Sequence, residues 1–297
     1  MLSEIKKFVN FKNPLFQFFL FLLVFLGIST WDLYAGAQKS QEKTALFVNL
    51  ALCGGLGFLS YYIARYVLKI QTVNPFNIGI SSILVYLLIH PTNPPLMFIL
   101  TFVGIFIGKY FFKFMNLPIF NPTAFGLFFA LYVSKALYAL KLAPDSLLIS
   151  WWGADMQQQF LSHVPILNIA VASILLLGCL YFTQAFRKFN YAATFFLTYI
   201  FCFFTYNIVV SQQPAETIHI VTQAFFNSIA FLALVMIPEP KTSPALPTQH
   251  VVIGLLSGAA LFAYSTILIR FVAEPFITTI LTANLMTLYV KQKRLFM

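Results

Sequence analysis

The sequence predicts an all-α, polytopic membrane protein of about ten transmembrane helices arranged as an inverted 5+5 repeat. Three observations predict it. The composition, at 60% hydrophobic, 18% aromatic and 9% charged residues, lies outside soluble globular usage, and the mean hydropathy of +0.85 agrees. The chain also repeats itself at an offset of 150 residues, and its Lys and Arg residues collect between apolar segments with a bias to one side.

Ten apolar segments follow in order at about 15–33, 46–68, 76–90, 95–112, 119–139, 164–183, 191–210, 219–237, 250–270 and 272–290. Most approach the ~20 residues that a helix needs to cross the hydrocarbon core. The first has no small-residue cleavage pattern and reads as an uncleaved span. Segment 76–90 is short and runs into Ile89-His90-Pro91-Thr92-Asn93-Pro94-Pro95, and segment 219–237 runs into Ile237-Pro238-Glu239-Pro240-Lys241-Thr242-Ser243-Pro244. Proline lacks an amide hydrogen and clashes with the preceding turn, so helices should end there. Backbone freed in this way at membrane depth must be buried in protein or line a wet cavity.

These two short segments carry the repeat. Phe76, Asn77, Val85, Thr92, Pro94 and Leu96 return as Phe226, Asn227, Val235, Thr242, Pro244 and Leu246 without a gap. Chance likeness between two apolar stretches is the alternative, but the match continues beyond them into the turns. The halves are therefore residues 1–150 and 151–297, with five segments each. Five is odd, so the second half must enter the membrane from the opposite face. Paired, Pro-interrupted short segments of this kind point to a central site in inverted-repeat membrane proteins.

Orientation follows from the basic residues. Lys6, Lys7, Lys12, Arg65, Lys69, Lys109, Lys113, Arg187, Lys188, Lys241, Lys291, Lys293 and Arg294, 13 of the 18, fall on one side; Lys39, Lys43, Lys135, Lys141 and Arg270 fall on the other. The first side is then cytoplasmic, with both termini inside and the insert 141–163 outside, as expected for a bacterial inner membrane. On this reading the net charge of +10 anchors the chain in a lipid bilayer and implies no nucleic-acid partner. Cys53, Cys179 and Cys202 sit in apolar segments without CxxC spacing, so free buried thiols are expected, with no disulfide and no metal site.

No hydrolase, metalloprotease, Walker or dinucleotide-binding pattern is present, and the acidic residues form no close dyad. A bound cofactor would have to carry any electrons. Thr92, Asn93, Thr242 and Ser243 offer polar groups at the matched turns, where they could bind a flavin, a quinone head group or an ion; their alternative role is capping the next helix. Asn121 and Asn284 are amides inside apolar helices, where a buried partner is expected, and they should hold the turns from behind. Glu239 and Lys241 are near enough to pair. Trp151 and Trp152 lie in the outer loop, as interfacial anchors or as a stacking platform.

Four stretches bring a family into view. Ile119-Phe120-Asn121-Pro122-Thr123-Ala124-Phe125-Gly126-Leu127 resembles the "IFNPAAFGL" stretch of the RnfD/NqrB family of ion-motive redox complexes, and Pro238-Glu239-Pro240-Lys241-Thr242-Ser243-Pro244 resembles its "DPxTSP" turn. Residues 280–289 are similar to its closing "LLANxxxPLID" helix, and residues 75–95 to its "TGLLLALxLPP" segment. The resemblance implies a urea-transporter-like fold, partner membrane or periplasmic redox subunits, and electron flow through flavins coupled to Na⁺ or H⁺ movement. It also implies covalent FMN on a "D-x-x-[ST]-G-A-T" stretch, but here Gly153-Ala154 is followed by Asp155 and no hydroxyl acceptor stands in place. Covalent FMN is therefore not expected; a non-covalent flavin (FMN or riboflavin) or a quinone is. The departure points towards divergent members similar to UnbU, an accessory membrane protein of enediyne-type biosynthetic cassettes, with whose Trp-Gly outer loop Ser150-Trp151-Trp152-Gly153 is compatible. From a different class, a channel or carrier for a small solute or ion on the same fold fits without redox chemistry.

Overall fold

The computed structural model describes residues 11–36, 40–70, 73–90, 92–142, 147–149, 165–210 and 231–293. They are mostly helical. The helices are α1 (Pro14–Gly36), α2 (Ser40–Tyr62), α3 (Pro75–Leu88), α4 (Pro95–Tyr110), α5 (Pro122–Ala139), α6 (Pro165–Ala185), α7 (Phe189–Val209), α8 (Pro247–Phe262) and α9 (Pro275–Lys293). Single π-helical stretches extend α2 (Ile63–Val67) and α8 (Ala263–Ile267), and a third covers Leu232–Met236. Two short strands, β1 (Lys113–Phe114) and β2 (Leu117–Pro118), form an antiparallel hairpin. Met115 and Asn116 between them both have positive φ, which is what a two-residue hairpin turn of the tightest kind requires.

Proline starts helices here more than it stops them. Seven of the nine α-helices among the described residues begin with Pro, whose fixed φ suits the first helical position and whose missing N–H is no loss there. An acceptor side chain often precedes it. Asn13 accepts from Leu15 N–H at 3.0 Å, Asn74 from Phe76 N–H at 2.9 Å, Asn121 from Ala124 N–H at 3.0 Å and Glu274 from Ile277 N–H at 2.7 Å. Helix ends use basic residues in place of glycine. Lys141 and Arg187 adopt positive φ, and the next amides, Leu142 and Lys188, reach back to Leu137 O and Thr183 O. This is the Schellman closure, with a cation set against the negative end of the helix dipole.

Among the described residues, four stretches are long and apolar enough to cross a membrane: Pro14–Trp31, Lys43–Val67, Phe189–Val209 and Pro247–Ile267. Their outward residues, among them Phe47, Phe58, Leu197, Phe201, Val252 and Leu255, are exposed and apolar, as lipid contact demands. This is a membrane protein. The sequence expectations at 15–33, 46–68, 76–90, 95–112, 119–139, 164–183, 191–210, 250–270 and 272–290 each meet a helix within a few residues. Of segment 219–237 only the end is described.

The chain divides into two compact units, one of residues 1–107 with 126–168 and one of residues 108–125 with 169–297. In unit 1, α3 is the centre: eleven of its fourteen residues are buried. A helix apolar on all sides belongs in an interior. It packs against α1 and α2, where Phe76 meets the rings of Phe16 at 4.9 Å and Phe19 at 5.3 Å. In unit 2 the closest pair is α7 with α8. Gly254 and Gly258, four apart on α8, lie so near the α7 backbone that a Cβ on Gly258 would stand 2.5 Å from Phe195 O. Small residues at this spacing let membrane helices touch without a hydrophobic driving force between them.

Candidate functional site

Each matched turn was built to solve the same problem, polar backbone set free beside a buried apolar element, and each solves it differently. In unit 1, α3 ends at Leu88 and the chain becomes extended at Ile89, which forms an isolated antiparallel bridge with Ile149. Asn93 clamps this arrangement. Its Oδ1 accepts from Leu148 N–H at 2.9 Å, and its Nδ2 donates to both Leu148 O and His90 O at 2.8 Å. With its buried amide fully engaged, Asn93 has little left for a ligand. Thr92 is exposed, and its hydroxyl lies 2.7 Å from His90 Nδ1. Thr92 N–H also reaches Nδ1, at 3.3 Å.

In unit 2 the π-helical stretch is buried, as are Ile237 and Pro238 after it. Asn121 Nδ2 donates to Met236 O at 3.2 Å, and Asn121 N–H donates to Asn284 Oδ1 at 2.7 Å. Asn121 thus holds Met236, just before the second turn, and Asn284 holds Asn121; the expected amide bonds to the backbone of the two turns are not among those of the described residues. Asn121 acts from the N-cap of α5, one residue before the helix, whereas the sequence reading places it inside a helix. Beyond them, Thr242 Oγ1 donates to Glu239 Oε2 at 3.0 Å, and Ser243 Oγ is buried without a hydrogen-bond partner. Glu239 is half-buried as a residue, but its carboxyl group faces inward. Burial pushes it up to about 7, against the opposing pull of Thr242, Lys241 and Lys109.

The next shell is cationic. Lys188, almost fully buried, donates its ammonium to Pro244 O, with His250 Nε2 2.9 Å from the same oxygen. Burial, helped by nearby Lys291, brings Lys188 down to about 8. The His250 ring lies parallel to Tyr191 at 6.2 Å. Sequence reasoning misses the pairing of Lys188 with His250, because they meet across 62 residues.

Two cavities complete the picture. One, of about 50 Å³ in unit 2, is lined by Thr242 and Asn284 together with Thr287, Lys291 and the β1–β2 hairpin. The other, of about 340 Å³ in unit 1, lies among α1, α2 and α3, and its walls are Phe19, Leu23, Phe58, Tyr61, Ile78, Gly79 and Tyr86 with Cys53, Gly54 and Gly57. Glycine makes this second space. A Cβ on Gly54 would meet nothing within 4 Å, so the cavity opens there. On either side the helices close in, since a Cβ on Gly57 would meet Ser82 Oγ at 2.1 Å and one on Gly79 would meet the Phe19 ring at 2.6 Å. The lining is apolar apart from groups such as the Tyr86 hydroxyl, 3.3 Å from the Thr30 hydroxyl, and Ser82 Oγ, which is turned back on Ile78 O. No sequence-predicted site residue lies in it; its one advance signal is the glycine cluster Gly54-Gly55-Leu56-Gly57 inside an apolar helix.

Trp151, Trp152, Asp155 and the Phe226–Ala230 part of the repeat lie outside the described residues. Among the described residues no group of three or more His, Cys, Asp or Glu could hold a metal ion. In comparison with known proteins, no family model and no curated protein matches the chain.

Proposed function

We propose that the chain is an integral, multi-pass membrane subunit of an electron-transfer system of the RnfD/NqrB type, with ten spans and both termini in the cytoplasm of a bacterial inner membrane. It works beside other membrane or periplasmic redox subunits and binds a quinone-like cofactor non-covalently in the unit 1 cavity. The observation that carries this reading is the cavity itself. Its 340 Å³ falls at the lower end of the ~300–1,000 Å³ usual for small-molecule sites. Aromatic rings line it, and Lys, Arg and His are absent from its described walls, so it suits a neutral ring with an apolar tail better than the phosphate of FMN. A quinone supplies one- and two-electron carriage that no side chain here can supply. Phe19, Phe58 and Tyr61 would hold its ring, and the Tyr86 hydroxyl would meet a carbonyl oxygen.

The test is extraction and mass spectrometry of the detergent-purified chain, with Gly54→Leu as the comparison. A Cβ at position 54 meets nothing within 4 Å, so the leucine can enter the space that Gly54 lines. A quinone should accompany the parent chain and fall about tenfold or more in the variant. Equal amounts in both, or a flavin in place of quinone, would sink the assignment. No redox cofactor together with solute uptake into proteoliposomes would move the chain to the carrier class. Orientation is checked by an impermeant maleimide, which should label a cysteine at Lys141 and spare one at Lys69.

A further inference from the structure

The smaller cavity stands apart from the quinone reading, because it is built wholly from unit 2 and needs only that the protein sits in a membrane. It lies where the β1–β2 hairpin, the turn 237–244 and the last turns of α9 come together. At about 50 Å³ it is several times the ~10–15 Å³ that admits one water, which is the scale of a tetrahedral oxyanion.

Its polar walls are set for an acceptor. Thr242, Asn284 and Thr287 are exposed by only 2%, 4% and 2%. Asn284 Oδ1 is committed to the Asn121 N–H, which fixes the orientation of the amide and leaves Nδ2 with no hydrogen-bond partner among the described residues. Asn284 lines the cavity, so its amide can donate to an acceptor that enters there. Lys291 lines the same space, with its ammonium at the edge of reach of Lys241 O, 3.5 Å away. Partial burial lowers Lys291 from the ordinary lysine range, a penalty that a nearby anion relieves. The carboxylate of Glu239, in the turn that supplies Thr242, is engaged by the Thr242 hydroxyl.

The surroundings choose between a soluble anion and a lipid. Lys113 on β1 and Lys293 in the last turn of α9 belong to the elements that line the cavity, with their ammonium groups over the rings of Tyr110 and Tyr289. Beside the cavity, Phe111, Met115 and Leu117 are exposed by 71%, 65% and 44%. A soluble phosphate gives these apolar side chains nothing to contact, whereas acyl chains do. Basic pockets flanked by apolar surface at a membrane's anionic leaflet are where phospholipid head groups dock.

We propose that this cavity is a head-group site for an anionic phospholipid, with the phosphate oxygens taken by Asn284 Nδ2 and Lys291 Nζ and the chains lying along the exposed hairpin residues. Native mass spectrometry of the full-length chain in detergent tests it, with phosphatidylglycerol and phosphatidylcholine as probes. Phosphatidylglycerol should remain as one discrete adduct and phosphatidylcholine should not. Lys291→Gln should weaken retention about fivefold, the effect of one basic residue at an anionic surface. Asn284→Asp keeps the acceptor for Asn121 N–H but replaces the donor with a negative oxygen, and should abolish the adduct while a cooperative thermal transition persists. Lys43→Gln, in unit 1, should change nothing. Equal retention of the two lipids, equal loss in the Lys43 variant, or displacement by excess inorganic phosphate would each overturn the proposal.

Discussion

The two matched turns start from nearly the same residues and end in different chemical states. After α3, the Thr92-Asn93-Pro94 turn is closed: the Asn93 amide satisfies Leu148 and His90, and Thr92 faces His90 at the surface. In the second turn, Thr242-Ser243-Pro244, the position of Asn93 is taken by Ser243, whose hydroxyl is buried and idle. The backbone at this turn and just before it is held from outside, by Lys188 and Asn121, and the turn keeps a carboxyl group that titrates near neutrality. One side chain makes the difference. Asparagine has donors and an acceptor to close its own turn, while serine has one hydroxyl too short to cross it.

The largest expected effect belongs to the closed turn. Asn93→Ala removes three hydrogen bonds at once and leaves Leu148 N–H without its acceptor, while Leu148 O and His90 O keep the backbone amides of His90 and Asn93. At about 1–3 kcal/mol for a buried group left unsatisfied, the loss should come to about 3 kcal/mol, the upper end, because two further bonds go with it. Denaturant titration of the detergent-solubilised chain measures it. A loss below about 1 kcal/mol would mean that the Ile89–Ile149 bridge holds without its clamp.

Much of this architecture was legible in the sequence, and the reasons it was legible mark where it stopped. Apolar runs give helices because a chain in lipid must satisfy its own backbone, so nine of the expected segments coincide with helices. That Asn121 and Asn284 each find a buried partner is readable too, because an amide in apolar surroundings must have one. The Asn-Pro pairs at 13–14, 74–75 and 121–122 were available as helix starts, yet proline was read as a stop. Its effect depends on which side the helix lies. The unit 1 cavity was not legible, since it depends on Gly57 and Gly79 meeting facing helices while Gly54 meets none, and a one-dimensional pattern does not record what faces a glycine. Lys188 and His250 were hidden for the same reason.

The second effect separates the turns by pH. Burial raises Glu239 from 4.5 to about 7, so between those values the folded chain holds the proton more tightly than the unfolded chain does. Stability should therefore decline as pH rises from about 4.5 to about 7 and level off above it, by at most about 3 kcal/mol for this group. Glu239→Gln should remove that share of the slope, seen as a smaller difference between thermal transitions measured at about pH 5 and about pH 8. An unchanged slope would show that Lys109 and Lys241 keep the carboxylate ionised throughout.

Ser243→Ala should have the smallest effect and the opposite sign. A buried hydroxyl without a partner forfeits its hydration and gains no bond in return, and alanine leaves the site without that debt. The variant should be more stable than the parent by about 1 kcal/mol, the low end of the cost of an unsatisfied polar group. At the corresponding position of the closed turn, the same truncation costs several times as much. That reversal of sign is the comparison at its sharpest, because the two sites share a sequence context and differ in whether the polar atom is spent. If Ser243→Ala proves destabilising instead, the hydroxyl has a partner in the membrane-embedded protein, and the second turn is then closed by something the chain itself does not provide.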